Sequence, residues 1–141
     1  MVVEVNGYNI TPHAILRFAD LTEANLSYAD LTEANLSYAD LSYADLTGAN
    51  LTRAYLFDAN LTDTNLTDAD LSYADLSYAN LTDADLSYAN LTGTQLFEAN
   101  LRGANITGAN LTGVNLAGLD FTATTPLKQV LSQDGTIYEP D

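Results

Sequence analysis

The chain has 141 residues, 47% of them hydrophobic, which suits one domain with a core of its own. Nineteen acids against four Lys or Arg give a net charge of -15, a surface that repels nucleic acid and anionic membrane and attracts basic partners. The absence of cysteine excludes a disulfide framework and thiolate chemistry, and no apolar run is long enough for a transmembrane helix.

The opening residues, Met1 to Gly7, lack a basic stretch followed by a long apolar one. They do not read as a signal peptide, and a cytoplasmic location is expected. Between Val2 and Ile10 two short strands flank Asn6-Gly7, a strong hairpin turn signal. Residues 1–13 are therefore expected to form an N-terminal cap. His13 is the only histidine and lies beside Pro12. A catalytic base needs a nucleophile and an orienting acid nearby, so His13 reads as an exposed cap residue.

From Leu16 to Phe121 an apolar residue recurs every five residues, 22 times without a polar exception. Two places before it stands a small residue, nearly always Ala; Thr64, Thr94, Val114 and Leu119 depart from this. Between the two lies Asp or Asn, with Ile15, Tyr55 and Gln95 as exceptions. Ser or Thr usually follows the leucine, and the fifth place varies among Tyr, Glu, Asp, Gly and Arg. We number the places from the small residue, so that Ala19-Asp20-Leu21-Thr22-Glu23 is one unit.

A period of five fits neither regular element. A helix needs apolar residues about every 3.6 positions, and in a strand an odd spacing sends alternate leucines to opposite faces. Within a unit, however, small-in, polar-out, leucine-in is a very short strand, and the next two residues must turn the chain. A coil built from such short sides closes on itself.

After the repeat, Thr125-Pro126 followed by Leu127, Val130 and Leu131 predicts a short helix with an apolar face, Thr125 as cap and Pro126 in the first turn. Asp134-Gly135 predicts a turn, with Ile137-Tyr138 returning towards the cap.

Units such as Ala19-Asp20-Leu21-Thr22-Glu23 and Ala29-Asp30-Leu31-Thr32-Glu33 resemble the A(D/N)LXX motif of pentapeptide-repeat proteins, a family abundant in cyanobacteria. The resemblance implies an all-β fold, a right-handed quadrilateral β-solenoid with four pentapeptides per coil. On that basis residues 14–123 form about 5.5 coils, a rod about 26 Å long at the spacing of neighbouring strands. Residues 1–13 are the N-terminal cap, and 124–141 the C-terminal cap helix and tail. A central Leu→Ala change is expected to cost about 2–5 kcal/mol.

Residues 20 apart then become neighbours. Leu21, Leu41, Leu61, Leu81, Leu101 and Phe121 form one inner ladder. Outside, the stripe Asn25, Asp45, Asn65, Asp85, Asn105 alternates amide with carboxylate, which separates like charges. Asp20 with Asp40, and Asp63 with Asp83, are adjacent exceptions, whose repulsion is expected to be eased by salt or by mildly raised pKa values. Glycine dominates the fifth place late in the chain, at Gly93, Gly103, Gly108, Gly113 and Gly118, which predicts a change of turn type towards that end. Leu21 to Asp30 repeats letter for letter as Leu31 to Asp40, the mark of duplication or of a consensus sequence.

No catalytic set, Gly-rich phosphate loop, Cys or His cluster or basic patch is present. Parallel acids on a flat face do not converge on a metal as a calcium loop does. No catalytic, cofactor or metal residues are therefore expected. The residues that stand out are outward aromatics and acids: Tyr28, Tyr38, Phe57, Asp58, Asp63, Asp68, Tyr78, Asp83, Tyr88 and Phe97. They are the candidate interaction surface, weighed against a purely structural role as outer stacked ladders. The expected function is a non-catalytic structural or protein-interaction module, a monomer or weak dimer, with a protein partner of basic character. The alternative comes from the resemblance, since some members of the family resemble duplex DNA and bind or inhibit DNA gyrase. Against it, such relatives are longer dimers with loops interrupting the coil, whereas these repeats run uninterrupted.

Overall fold

The structure, a computed structural model, describes residues 3–120, 123–124, 130–131 and 137–138. It opens with an antiparallel hairpin, β1 (Val3–Val5) and β2 (Tyr8–Ile10), in which Val5 faces Tyr8 and Val3 faces Ile10. Asn6 and Gly7 form its two-residue turn with φ of 50° and 82°, the positive pair that a type I′ turn needs.

The repeats coil as a β-solenoid. The Asp/Asn place of each unit pairs in parallel with the residue 20 positions on, from Ile15 with Asn35 to Asn100 with Asp120. The ladder skips Gln95 with Asn115. Each side of the coil contributes a single bridged residue rather than a long strand.

The backbone hydrogen bonds explain the motif. In the five residues from Leu41 to Asp45, Leu41 N–H donates to Asn60 O at 2.8 Å and Tyr43 N–H to Thr62 O at 3.0 Å, both in the next coil. Asp45 N–H donates back to Ala24 O in the previous coil at 2.9 Å. Ala44 N–H closes the turn on Leu41 O at 3.0 Å. That leaves Ser42 N–H, which donates to Asp40 Oδ1 at 3.0 Å, while Ser42 Oγ donates to the same oxygen at 2.6 Å. Every backbone donor of the five is thus used, as a buried coil demands. An Asp or Asn fits the second place because it offers a short side-chain acceptor two residues before an otherwise unsatisfied N–H.

Inside, the leucines stack with almost no exposure from Leu21 to Leu91, and the alanines fill the space between them. Of the ladder that starts at Leu21, Phe121 lies outside the described residues. Thr64 and Thr94 replace alanine without leaving a buried hydroxyl unpaired. Their Oγ1 atoms donate to Leu41 O at 2.7 Å and Leu71 O at 2.8 Å, two carbonyls that already accept a turn bond. At the N-terminal end Ile10 is buried against the leucine core. The Asp20 N–H has no coil before it, and it donates to the Tyr8 hydroxyl at 3.2 Å.

Three expectations need correction. First, the turn does not change along the rod. The fifth place has positive φ throughout, at Glu23 (59°), Tyr28 (61°) and Asp63 (55°) as at Gly48 (64°) and Gly113 (76°). Closing a side in five residues requires it, and the preceding residue keeps negative φ, the sequence of a type II turn. A non-glycine residue there costs about 1–2 kcal/mol, offset by the stacked coils that hold the turn on both sides. Second, Asp20 is not raised in pKa beside Asp40. Asp20, Asp30 and Asp45 are held below their ordinary value of 3.8, chiefly by the hydroxyls of Thr22, Thr32 and Thr47 and next by the same residues' N–H groups. Third, the helix expected over residues 125–131 is absent where the chain is described. Val130–Leu131 is a strand, β3, antiparallel to β4, Ile137–Tyr138, with Val130 opposite Tyr138. The β-branched and aromatic residues of these two segments favour a hairpin over a helix. Residues 125–129 lie outside the described residues.

Candidate interaction surface

The fourth and fifth places form the four edges of the rod, and the Asp/Asn places form its faces. The two sets of acids differ in kind. At the second place Asp30, Asp45, Asp70 and Asp85 accept hydrogen bonds from the hydroxyl and N–H two residues on, so they are tied into the backbone. Acids at the fifth place, such as Asp58, Asp63, Asp68, Asp83 and Glu98, project from turn residues with positive φ.

The candidate residues fall on three edges. Tyr38, Phe57, Asp58, Tyr78 and Phe97 share one. Asp63 and Asp83 are neighbours on the next, linked through Asp63 N–H to Thr82 O at 3.0 Å. Tyr28, Asp68 and Tyr88 lie on the third, where the Tyr28 ring lies over Gly48 and the Tyr88 ring over Gly108. The fourth edge holds His13, whose Nδ1 lies 3.2 Å from Glu33 Oε2, an ion pair only when the imidazole is protonated. Both side chains are exposed to solvent.

The first edge differs from the others. Phe18, Tyr38, Phe57, Tyr78 and Phe97 form one unbroken column of rings, with centroid separations of 4.9, 5.7, 5.4 and 5.5 Å. The first pair is stacked and the other three meet edge to face. Both are favourable aromatic geometries. The column zigzags between places, with tyrosine at the fifth place of one coil and phenylalanine at the fourth place of the next. Where Phe takes the fourth place, the second place is Tyr55 or Gln95 and not Asp or Asn. The short Asp or Asn acceptor and the hydroxyl donor are lost together, and an aromatic ring is gained.

Beside this column lies the face of Ile15, Asn35, Tyr55, Asp75 and Gln95. Ile15 is 83% exposed, Tyr55 53% and Phe97 64%. Arg17 lies over the rings of Phe18 and Tyr38, 5.4 and 5.7 Å from their centroids, and Arg53 lies 5.5 Å from that of Tyr73 across the same face. This face and its two edges carry Glu33, Asp58, Asp75 and Glu98 against Arg17 and Arg53. All other acids of residues 16–123 lie elsewhere, with Arg102 as their only cation. The rod therefore has one weakly acidic aromatic side, with two acids per arginine, and a strongly acidic remainder. Among the described residues, no group of three or more His, Cys, Asp or Glu gathers as a metal site.

The family model for pentapeptide repeats matches residues 14–53, 49–87 and 89–125. The chain belongs to the pentapeptide-repeat family. Among solved structures, this pentapeptide-repeat protein is similar to Rfr23 of the cyanobacterium Cyanothece 51142, with 43% identity over 66% of this chain and a TM-score of 0.61. It is also similar to HetL of Nostoc sp. strain PCC 7120, a pentapeptide-repeat protein involved in heterocyst differentiation regulation, with 39% identity over 89% of this chain and a TM-score of 0.41. A third relative is a pentapeptide-repeat protein of the Arabidopsis thaliana thylakoid lumen, 35% identical over 68% of this chain and matching 67% of its own, with a TM-score of 0.37. The chain spans 61% of the Rfr23 structure and 67% of that of HetL. Comparison with the curated proteins found no match.

Proposed function

We propose that this pentapeptide-repeat protein is a non-catalytic protein-interaction module, a rigid acidic rod that holds a basic protein partner. The observation that supports this most is the exposed aromatic column from Phe18 to Phe97, set beside a weakly acidic face on a rod that is otherwise strongly acidic. Stacking alone accounts for rigidity. It does not account for concentrating Ile15, Tyr55 and the ring column on one side, and exposed aromatics are favoured at interfaces. The test is capture of partners from a lysate of the source cells by the immobilised chain at low and high salt. Basic proteins retained at low salt and released at high salt are the expected result. Retention of nothing at low salt contradicts the reading.

A second reading, a DNA mimic that binds or inhibits DNA gyrase, is favoured by one observation, the net charge of -15. It predicts inhibition of gyrase supercoiling at micromolar protein that weakens with salt, and loss of that inhibition when Asp58, Asp63, Asp68 and Asp83 are neutralised. The absence of inhibition at tens of micromolar removes it.

A further inference from the structure

We infer that the aromatic edge is the docking track, and that its occupant is an extended, arginine-bearing segment of the partner with a cation at every third residue. This rests on the interaction-module reading and specifies its surface and its ligand.

The edge repeats every two coils. Phe57 at the fourth place is followed by Asp58 at the fifth, and two coils later Phe97 is followed by Glu98. Tyr78 lies between them, in ring contact with both phenylalanines at 5.4 and 5.5 Å. Each two-coil step thus pairs a carboxylate with the phenylalanine that precedes it in the column, the two groups a guanidinium favours because it both pairs with an acid and stacks on a ring. Among the described residues no cation pairs with Asp58 or Glu98. The first step of the same column already holds a guanidinium, since Arg17 lies over Phe18 and Tyr38 within 6 Å of both centroids. The chain's own arginine shows that rings of this column accept a guanidinium.

Spacing selects the segment. Two coils span about 9.6 Å, twice the distance between neighbouring strands. A polyproline II segment rises about 3.1 Å per residue with three residues per turn, so every third side chain points the same way about 9.3 Å further on. A segment with arginine at every third position therefore meets Asp58 and Glu98 in register. The charge also matches, because the acidic faces on the rest of the rod draw a basic segment in while the ring column fixes its line.

The probe is a fluorescent (Arg-Pro-Pro)3 peptide, titrated with the full chain by anisotropy. The expected result is saturable binding that falls about tenfold in the Phe57→Ser, Phe97→Ser double variant. Serine is the native residue at this place in the intervening coils, at Ser37 and Ser77, although there it follows Asn35 and Asp75 rather than Tyr55 and Gln95. Circular dichroism checks that the variant is folded. Asp58→Asn with Glu98→Gln is expected to weaken binding similarly, and Asp63→Asn with Asp83→Asn on the neighbouring edge less than twofold. Equal losses on both edges, equal binding of a (Gln-Pro-Pro)3 peptide, or no binding at about 1 mM peptide overturns the inference. If the immobilised chain still retains basic proteins, those results leave the interaction-module reading standing, and retention of nothing removes that reading as well.

Discussion

The ring of Tyr28 lies over Gly48, one coil further along, so closely that a Cβ on Gly48 would come within 2.5 Å of a ring carbon. The same relationship joins Tyr73 to Gly93 and Tyr88 to Gly108, each at 2.6 Å. At Gly48, Gly93 and Gly108 glycine therefore marks where a tyrosine of the preceding coil lies down, whereas Gly103 lies against Asp83 and Gly118 meets no neighbour; other residues reach positive φ at this place without glycine. Gly48→Ala is expected to destabilise the chain by more than about 1 kcal/mol. In a Tyr28→Ala background the loss is expected to shrink by about 1 kcal/mol, a coupling measurable by urea unfolding of the four proteins in the cycle. Additive losses would show that the ring and the glycine act independently.

Thr64 is fully buried and gives its hydroxyl to Leu41 O at 2.7 Å. Thr64→Val keeps the volume and removes the bond. It is expected to cost about 1 kcal/mol in urea unfolding. An unchanged midpoint would mean that the turn bond from Ala44 N–H satisfies that carbonyl by itself.

Asp45 has a pKa held below 3.8 by the Thr47 hydroxyl first and the Thr47 N–H second, with slight desolvation opposing. A carboxyl lowered in the folded state stabilises above its unfolded pKa, and that contribution is lost as pH falls through the lower, folded value. An asparagine in its place would accept the same bonds at every pH, as Asn25 and Asn65 do in the coils on either side. The melting temperature of Asp45→Asn relative to the parent chain is therefore expected to rise between pH 7 and pH 3. This difference separates the hydrogen bonds from the general relief of acid repulsion that accompanies acidification. A difference that stays constant or falls contradicts the assignment.

Much of the fold was legible because the repeat leaves few alternatives. The five-residue period excludes a helix and a long strand, and Asn6-Gly7 specifies the opening hairpin that the structure contains. The 20-residue step that the resemblance implied is the step of the bridge ladder. Less of the surface was legible. Counting by 20 separates Tyr38 and Tyr78 from Phe57 and Phe97, because the ring column moves between the fifth and fourth places in steps of 19 and 21. Only side-chain positions show the four as one column. The link between Asp or Asn and the Ser or Thr two residues later was present in the sequence, and its absence at Tyr55-Leu56-Phe57 and Gln95-Leu96-Phe97 marked the edge that differs. At the other end, Thr125-Pro126 carries a local helix signal, but Val130–Leu131 pairs with Ile137–Tyr138, a contact that local preference does not encode.

The sharpest test of whether the aromatic edge holds the partner is photo-crosslinking in source-cell lysate from a reactive residue placed at position 58 or at position 63. Both are exposed fifth-place aspartates with the same turn geometry, φ of 55° each, on neighbouring edges. Docking on the aromatic edge predicts one discrete crosslinked species from position 58 that is absent with the Phe57→Ser, Phe97→Ser variant, and little or nothing from position 63. Crosslinks from position 63 alone, or equal yields from both positions, would contradict it.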